Sequence, residues 1–299
     1  ALLVRVALGI GYVPGPSTAV AQADVPAVVV EVENEDGEPA AATDAVNPIP
    51  VAGPSELVRR LAPVRTYMFG LVVLLSAVTC TFGNLAAYGQ TNIKRLLAYS
   101  TIAHAGYLMM PVAAAIAVVG HNVRAAEEAI GALCFYIAVY LFMNLGAFAV
   151  VAFLRNALRS EDIADYAGLI RRAPGVVVIF SLLLLSLLGL PPLAGFPAKV
   201  FIFSAVYEAS LVAPEYSTEL LALFVIGGLN TVVSLFYYLR VVKVMTLDPE
   251  PEHRLPVEVP MASLPGAFLA AVALPVAVFG VWFNDLRELT LAAASRFLS

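Results

Sequence analysis

Residues 90–107 read Gln-Thr-Asn-Ile-Lys-Arg-Leu-Leu-Ala-Tyr-Ser-Thr-Ile-Ala-His-Ala-Gly-Tyr, between two long apolar runs. Lys94, Arg95 and His104 therefore stand next to, or inside, a membrane segment. Charge is costly there, so an ionisable residue in such a place is a functional-site candidate by default. Lys199 repeats the pattern behind a helix-breaking Gly-Leu-Pro-Pro at 189–192. Two such lysines, with no nucleotide or metal motif in the sequence, point to ion or proton movement rather than chemistry on a soluble substrate.

Composition supports this reading. The 299 residues are 61% hydrophobic and only 13% charged, where a soluble domain is about 25% charged. Length alone would suggest roughly two soluble domains, but several apolar stretches reach the roughly 20 residues that cross a bilayer core. The expected fold is an all-α, polytopic transmembrane bundle. The formal charge of −5 says little globally, because much of the acid lies within 24–56. A basic run long enough for a nucleic-acid surface is missing from the sequence. Cys80 and Cys134 both lie in apolar runs and read as small core residues, with neither a disulfide framework nor a metal pair implied.

The sequence divides into three parts. Residues 1–10 read as the end of a truncated transmembrane helix, and no signal peptide is visible. Residues 11–62 carry Pro at 14, 16, 26, 39, 48, 50 and 54 with Glu31, Glu33, Glu35, Asp36 and Glu38. They read as a solvent-exposed acidic linker, too poor in buriable surface to offset its ordering entropy. Residues 63–299 form the transmembrane domain. Its spans are expected at 67–88, 96–119, 129–154, 174–190, 196–212, 219–245 and 261–283. Helices are required, because each span must satisfy its own backbone polar groups. Whether 174–212 is two spans or one interrupted helix stays open. Arg155, Arg159, Arg171 and Arg172 place the loop 155–173 in the cytoplasm. Arg240 and Lys243 mark the end of the 219–245 helix in the same way. If both basic regions face inward, 174–212 crosses once and is broken midway.

Within the spans, Lys94 and Thr101 are seven residues apart and share a helix face. His104 and Tyr107 follow at steps of three, giving lysine, hydroxyl, imidazole and phenol along one helix. Buried lysine is easily deprotonated and histidine titrates near neutrality, so such a series can pass protons. The plainer reading has Lys94 and Arg95 ending a helix and reaching to lipid head groups, and His104 as a satisfied core residue. Lys199 follows Pro191 and Pro192, which lack amide donors and leave carbonyls free. Broken membrane helices place such free backbone ends at mid-membrane, where ion sites form. Its plainer reading is an interfacial turn with a lipid-facing lysine. Asn144 beside Gly146, and Asn230 with Ser234 one turn on, can hydrate a polar channel or act as interhelical glue.

These residues carry a resemblance. Gly83-Asn84-Leu85-Ala86-Ala87 followed by the 90–107 stretch resembles the signature of the antiporter-like subunits of respiratory complex I, most closely subunit N, called subunit 2 in mitochondria. Four shorter stretches agree in order: 140–148 (Tyr-Leu-Phe-Met-Asn-Leu-Gly-Ala-Phe), 165–169 (Asp-Tyr-Ala-Gly-Leu), 189–196 (Gly-Leu-Pro-Pro-Leu-Ala-Gly-Phe) with Lys199, and 237–240 (Tyr-Tyr-Leu-Arg). The likeness covers 64–246 well and 261–283 loosely. It implies the second half of a 14-helix fold of two inverted repeats with a midplane line of charge. It implies that Lys94 and Lys199 match proton-path lysines, and that Asn144 stands where sister subunits carry a basic residue. The earlier half of that fold, with a glutamate and a further lysine of its path, is not in this sequence. The 11–62 linker replaces a short loop.

The resemblance further implies a proton-translocating membrane subunit of NADH:quinone oxidoreductase. Lys94, Lys199 and His104 would form the proton path, supported by Thr101, Tyr107, Asn144, Asn230 and Ser234. No cofactor would be held by this chain; NADH, flavin, iron–sulfur clusters and quinone would belong to other subunits. Its partners would be the other membrane subunits of complex I and the lipid bilayer, with no nucleic acid. A bacterial inner membrane is expected ahead of an organellar one. The alternatives are a subunit of a multisubunit cation/proton antiporter or of a membrane-bound hydrogenase, and a non-transporting membrane scaffold.

Overall fold

The computed structural model describes residues 54–252 and 263–298, and these are helical throughout apart from turns and short 3-10 segments. The helices are α1 (Pro54–Tyr88), α2 (Ile93–Val118), α3 (Val123–Leu158), α4 (Pro174–Leu188), α5 (Gly195–Val212), α6 (Ser217–Thr246), α7 (Leu264–Val281) and α8 (Asn284–Leu298). Six of the helical stretches are long and apolar enough to cross a membrane: Leu61–Tyr88, Ile93–Val118, Val123–Leu158, Gly195–Val212, Pro214–Thr246 and Leu264–Val281.

Side-chain caps set several starts. Asn92 Oδ1 accepts from the Arg95 amide at 3.0 Å and Asn122 Oδ1 from the Ala125 amide at 3.2 Å, satisfying donors that the first turn leaves free. Helix α2 is the most enclosed, with 72% of its apolar window buried. It packs most extensively against α1, and also against α3, α5 and α6. Helices α1 and α6 keep outward faces of exposed Leu71, Leu74, Phe82, Leu229, Val232 and Phe236. In a soluble protein such a patch would be anomalous; here it is the bilayer-facing side.

The loops sort onto two faces. On one, Asn92 bridges to Asp162, the Ile93 amide donates to the Glu161 carbonyl at 2.9 Å, and the Gly168 amide donates to the Val244 carbonyl at 3.0 Å. These contacts gather the α1–α2 turn, the 159–173 loop and the end of α6. On the other face, Arg65 Nη1 donates to the Val119 carbonyl at 2.8 Å and the Thr66 and Tyr216 hydroxyls meet at 2.9 Å. His121 Nε2 lies 2.9 Å from Glu215 Oε1 there. Helix α4 starts on the first face and α5 ends on the second, and the two meet at their junction, where Gly195 reaches Ser186 and Lys199 reaches Leu188. Residues 174–212 therefore cross the membrane once, as an interrupted helix. Helix α4 has 15 residues, about 22 Å at 1.5 Å per residue, too short to span a core of about 30 Å alone.

One boundary needs correction. Helix α1 starts at Pro54, inside the stretch expected to be linker through residue 62. Proline suits a first helical turn, and the following Glu-Leu-Val-Arg-Arg-Leu is mostly helix-forming. The rest of the expected linker and the expected helix end at 1–10 lie outside the described residues. Helix α8 follows the last expected span and, at 15 residues, is too short to cross a bilayer core. Its Thr290, Ala294 and Leu298, spaced by four, are buried, and it packs against α3.

Candidate functional site

The interruption between α4 and α5 builds the site's centre. Gly189 ends α4 in the left-handed region at φ 93°, a conformation that glycine adopts without a steric penalty. Gly195 opens α5, and its amide donates to Ser186 Oγ at 3.0 Å. A Cβ on Gly195 would run into the Ser186 carbonyl, so glycine is what lets the two helix ends overlap. One turn into α5, Lys199 is 5% exposed. Its amine donates to the Leu188 carbonyl at 2.8 Å, one of the last four carbonyls of α4 that the helix itself cannot satisfy. The same amine sits 4.8 Å from the centre of the Tyr107 ring, a cation–π arrangement. Neither partner carries a full charge.

Tyr107 lies on α2, and its hydroxyl meets Thr231 Oγ1 at 3.0 Å and donates to the Gly227 carbonyl at 3.2 Å. One turn away, His104 is 2% exposed. Its Nδ1 lies 2.6 Å from the Tyr136 hydroxyl and its Nε2 3.3 Å from the Tyr238 hydroxyl. Tyr238 is hydrogen-bonded in turn to Ser100. The Tyr140 ring stacks on the imidazole with centroids 5.0 Å apart. Ser100, Tyr238, His104 and Tyr136 thus form a continuous hydrogen-bonded series across α2, α3 and α6. Every member can both donate and accept a proton.

A second polar group lies between α1 and α6. The Tyr237 hydroxyl donates to Asn84 Oδ1 at 3.0 Å. Asn84 Nδ2 donates to Asn230 Oδ1 at 3.2 Å, and Asn230 Nδ2 donates to Thr81 Oγ1 at 3.1 Å. The Tyr237 and Tyr238 rings are adjacent, with centroids 4.4 Å apart, so the two series meet at one dipeptide.

The sequence-derived candidates fare differently. Lys199, His104 and Tyr107 come together in the buried centre. Asn230 joins the amide series. Thr101 is half-buried; its hydroxyl donates to the Leu97 carbonyl at 3.0 Å and approaches Asn144 Oδ1 at 3.4 Å. Asn144 lines a groove with Ile137, Leu141 and Leu145. Ser234 bonds to the Thr231 carbonyl of its own helix at 2.7 Å. Lys94 lies apart from this centre. It stands in the first turn of α2 at the basic face, its side chain 56% exposed and its amine 3.8 Å from Glu161 Oε1. Glu161 also pairs with Arg155 at 3.0 Å. The seven-residue spacing gave its helix face correctly but not its depth, and the Asn92 cap fixes that depth.

Asn84 and Tyr136 were not among the candidates. Asn84 had a signal, an amide within an apolar span. Tyr136 had only its spacing of four from Tyr140.

A family model described as NADH:quinone oxidoreductase/Mrp antiporter, TM, matches residues 50–224, more than half of the chain. NADH-quinone oxidoreductase subunit N of Anaeromyxobacter sp. (strain Fw109-5) is 40% identical over 228 residues, covering 76% of this chain and 41% of the relative. Subunit N of Desulforamulus reducens is likewise 40% identical over 228 residues, covering 76% and 43%. The chain spans about two fifths of the length of these curated relatives. A chain of respiratory complex I from Thermus thermophilus with bound aureothin superposes with a TM-score of 0.57 at 28% identity, covering 79% of this chain and 49% of that one. A chain of the Mrp complex from Dietzia sp. DQ12-45-1b superposes with a TM-score of 0.66 at 17% identity, covering 81% and 50%, and shares the fold. Sequence match, antiporter-like helix arrangement and interrupted helix agree: this chain belongs to the NADH:quinone oxidoreductase/Mrp antiporter transmembrane family.

Proposed function

We propose that the chain acts as a proton-translocating membrane subunit of NADH:quinone oxidoreductase, in the position of subunit N. The observation that carries this is Lys199: an amine enclosed at a helix break, held by a lone carbonyl and a ring face. A structural lysine in a membrane would be neutralised by a carboxylate or reach the interface. Partial charges stabilise the ammonium without locking its proton in an ion pair, which suits reversible transfer. The His104 series supplies neighbouring sites that can take and return a proton. In this reading the chain carries no electrons; quinone reduction on other subunits of the complex drives it through conformational and electrostatic change.

The face bearing Arg155, Arg159, Arg171, Arg172 and Lys243 lies in the cytoplasm, following the bias of basic loops. The host membrane is read as a bacterial inner membrane, since the relatives above come from bacteria. The cation/proton antiporter reading shares the fold but is favoured less, since the relatives at 40% identity are named as subunit N. Lys94 is outside the buried path and acts at most at its cytoplasmic rim.

The test is Lys199→Ala in the full assembly, in sealed vesicles. Assembly is expected to survive, while the number of protons moved per quinone reduced falls. An unchanged ratio would remove Lys199 from the path.

A further inference from the structure

A cavity of about 600 Å³ opens on the basic face, lined by Gln90, Thr91, Asp162, Arg240, Val244 and Asp248. Arg240 holds the Gln90 carbonyl at its inner edge. One turn further in on α6 lies Tyr237, where the amide series starts. The series then runs away from that face: Asn84 stands four residues before the end of α1, and Thr81 almost one turn deeper. Its deep end adjoins the site, because Thr231, next to Asn230, bonds the Tyr107 hydroxyl at 3.0 Å. Cys80, next to Thr81, packs directly on the backbone of Gly106 beside Tyr107. The amides therefore stand between an open basin and the buried surroundings of Lys199.

Both amides are enclosed, Asn84 at 0% and Asn230 at 6% exposure, and both are hydrogen-bonded at oxygen and nitrogen. A carboxamide so placed relays protons poorly. To pass one it must take a proton on Oδ1 and lose one from Nδ2, which leaves the unfavourable imidic-acid tautomer. A hydroxyl or an imidazole has no such obstacle, because each offers both a donor and an acceptor for exchange. The two series that meet at Tyr237 and Tyr238 thus differ in kind, one built of relays and the other interrupted twice by amides.

We propose that Asn84 and Asn230 form a proton-insulating plug, which keeps Lys199 from equilibrating with the basic-face basin along the α1–α6 seam. The plug also joins the two helices, but its chemistry matters beyond that mechanical role. A carboxylic acid in the same place takes a proton on its carbonyl oxygen, releases the hydroxyl proton and ends as the same species. Near-isosteric Asn→Asp changes at both positions therefore convert the insulator into a relay. This rests on the proton-transport reading of Lys199.

The experiment uses the complete assembled complex in proteoliposomes, without substrate, under an imposed pH gradient. Passive proton entry is followed with a trapped pH dye for the native protein, the double variant Asn84→Asp/Asn230→Asp, and Asn84→Leu. The double aspartate variant is expected to raise the passive leak on the order of a hundredfold, the smaller end of what a positioned acid–base group contributes. Asn84→Leu, which packs but cannot relay, should leave the leak at the native level. Native leak in the assembled double aspartate variant would overturn the proposal. So would a leucine variant that leaks as much as the double aspartate variant, since the amides would then block by packing alone. Substrate-driven pumping by the native complex is measured in parallel. Its absence would refute the transport reading itself, whereas the leak comparison reports on the plug.

Discussion

The Lys199 amine donates a 2.8 Å hydrogen bond to the carbonyl of Leu188, eleven residues earlier and on the other side of the helix break. The lysine thereby closes the gap that Gly189, Pro191 and Pro192 open in the backbone ladder. The same bond makes the geometry of the break sensitive to whether the amine carries a proton to donate. Local structure and proposed chemistry are coupled through one contact.

Gly189→Ala should disturb that contact. The added methyl would lie 2.9 Å from Lys199 Cδ, in a backbone conformation at φ 93°. The left-handed backbone alone costs roughly 1–2 kcal/mol for a residue with a Cβ. Thermal unfolding of the purified complex should shift downward, and pumping should fall further than stability does. A variant with native pumping would show that the lysine stem tolerates displacement.

Tyr136→Phe removes the hydroxyl 2.6 Å from His104 Nδ1 and leaves a buried ring of similar shape. The lost hydrogen bond should cost about 1 kcal/mol. The more telling effect is on transport. With one relay gone from the His104 series, proton movement per quinone reduced should drop while assembly stays intact. Equal stoichiometry in vesicles would place Tyr136 outside the path.

Lys94→Ala should be nearly silent. Its exposed pairing with Glu161 is worth at most about 1 kcal/mol, and Arg155 still engages the carboxylate at 3.0 Å. Pumping stoichiometry is expected to stay at the native value. A marked loss would return Lys94 to the proton path in spite of its position at the rim.

The spans were legible because crossing a bilayer core demands an apolar run that nothing else in the chain imitates. Helix α8 was not, since an amphipathic helix of 15 residues has no such run. The start of α1 hid behind the proline and acid content of the residues before it. Lys199 could be read because Pro191 and Pro192 announce a broken helix beside it. For Lys94 the decisive signal was present but outweighed. Asn92 is a strong capping residue, and a lysine two positions after a cap sits at the helix end. The partners of His104 could not be read. Tyr136 and Tyr238 reach it from α3 and α6, a meeting fixed by tertiary packing and not by spacing in any one helix. The single crossing at 174–212 followed from charge only as an option; the loop contacts on the two faces decide it.

The central claim is that Lys199 releases its proton as well as holds it. The most direct measurement compares Lys199→Arg with the native complex in sealed vesicles, recording protons moved per quinone reduced. Arginine keeps the positive charge and can still donate to the Leu188 carbonyl, but it stays protonated at any working pH. The expected result is an assembled complex with clearly lowered proton stoichiometry. Native stoichiometry in the arginine variant would mean that position 199 supplies only a fixed charge, contradicting its role as a carrier.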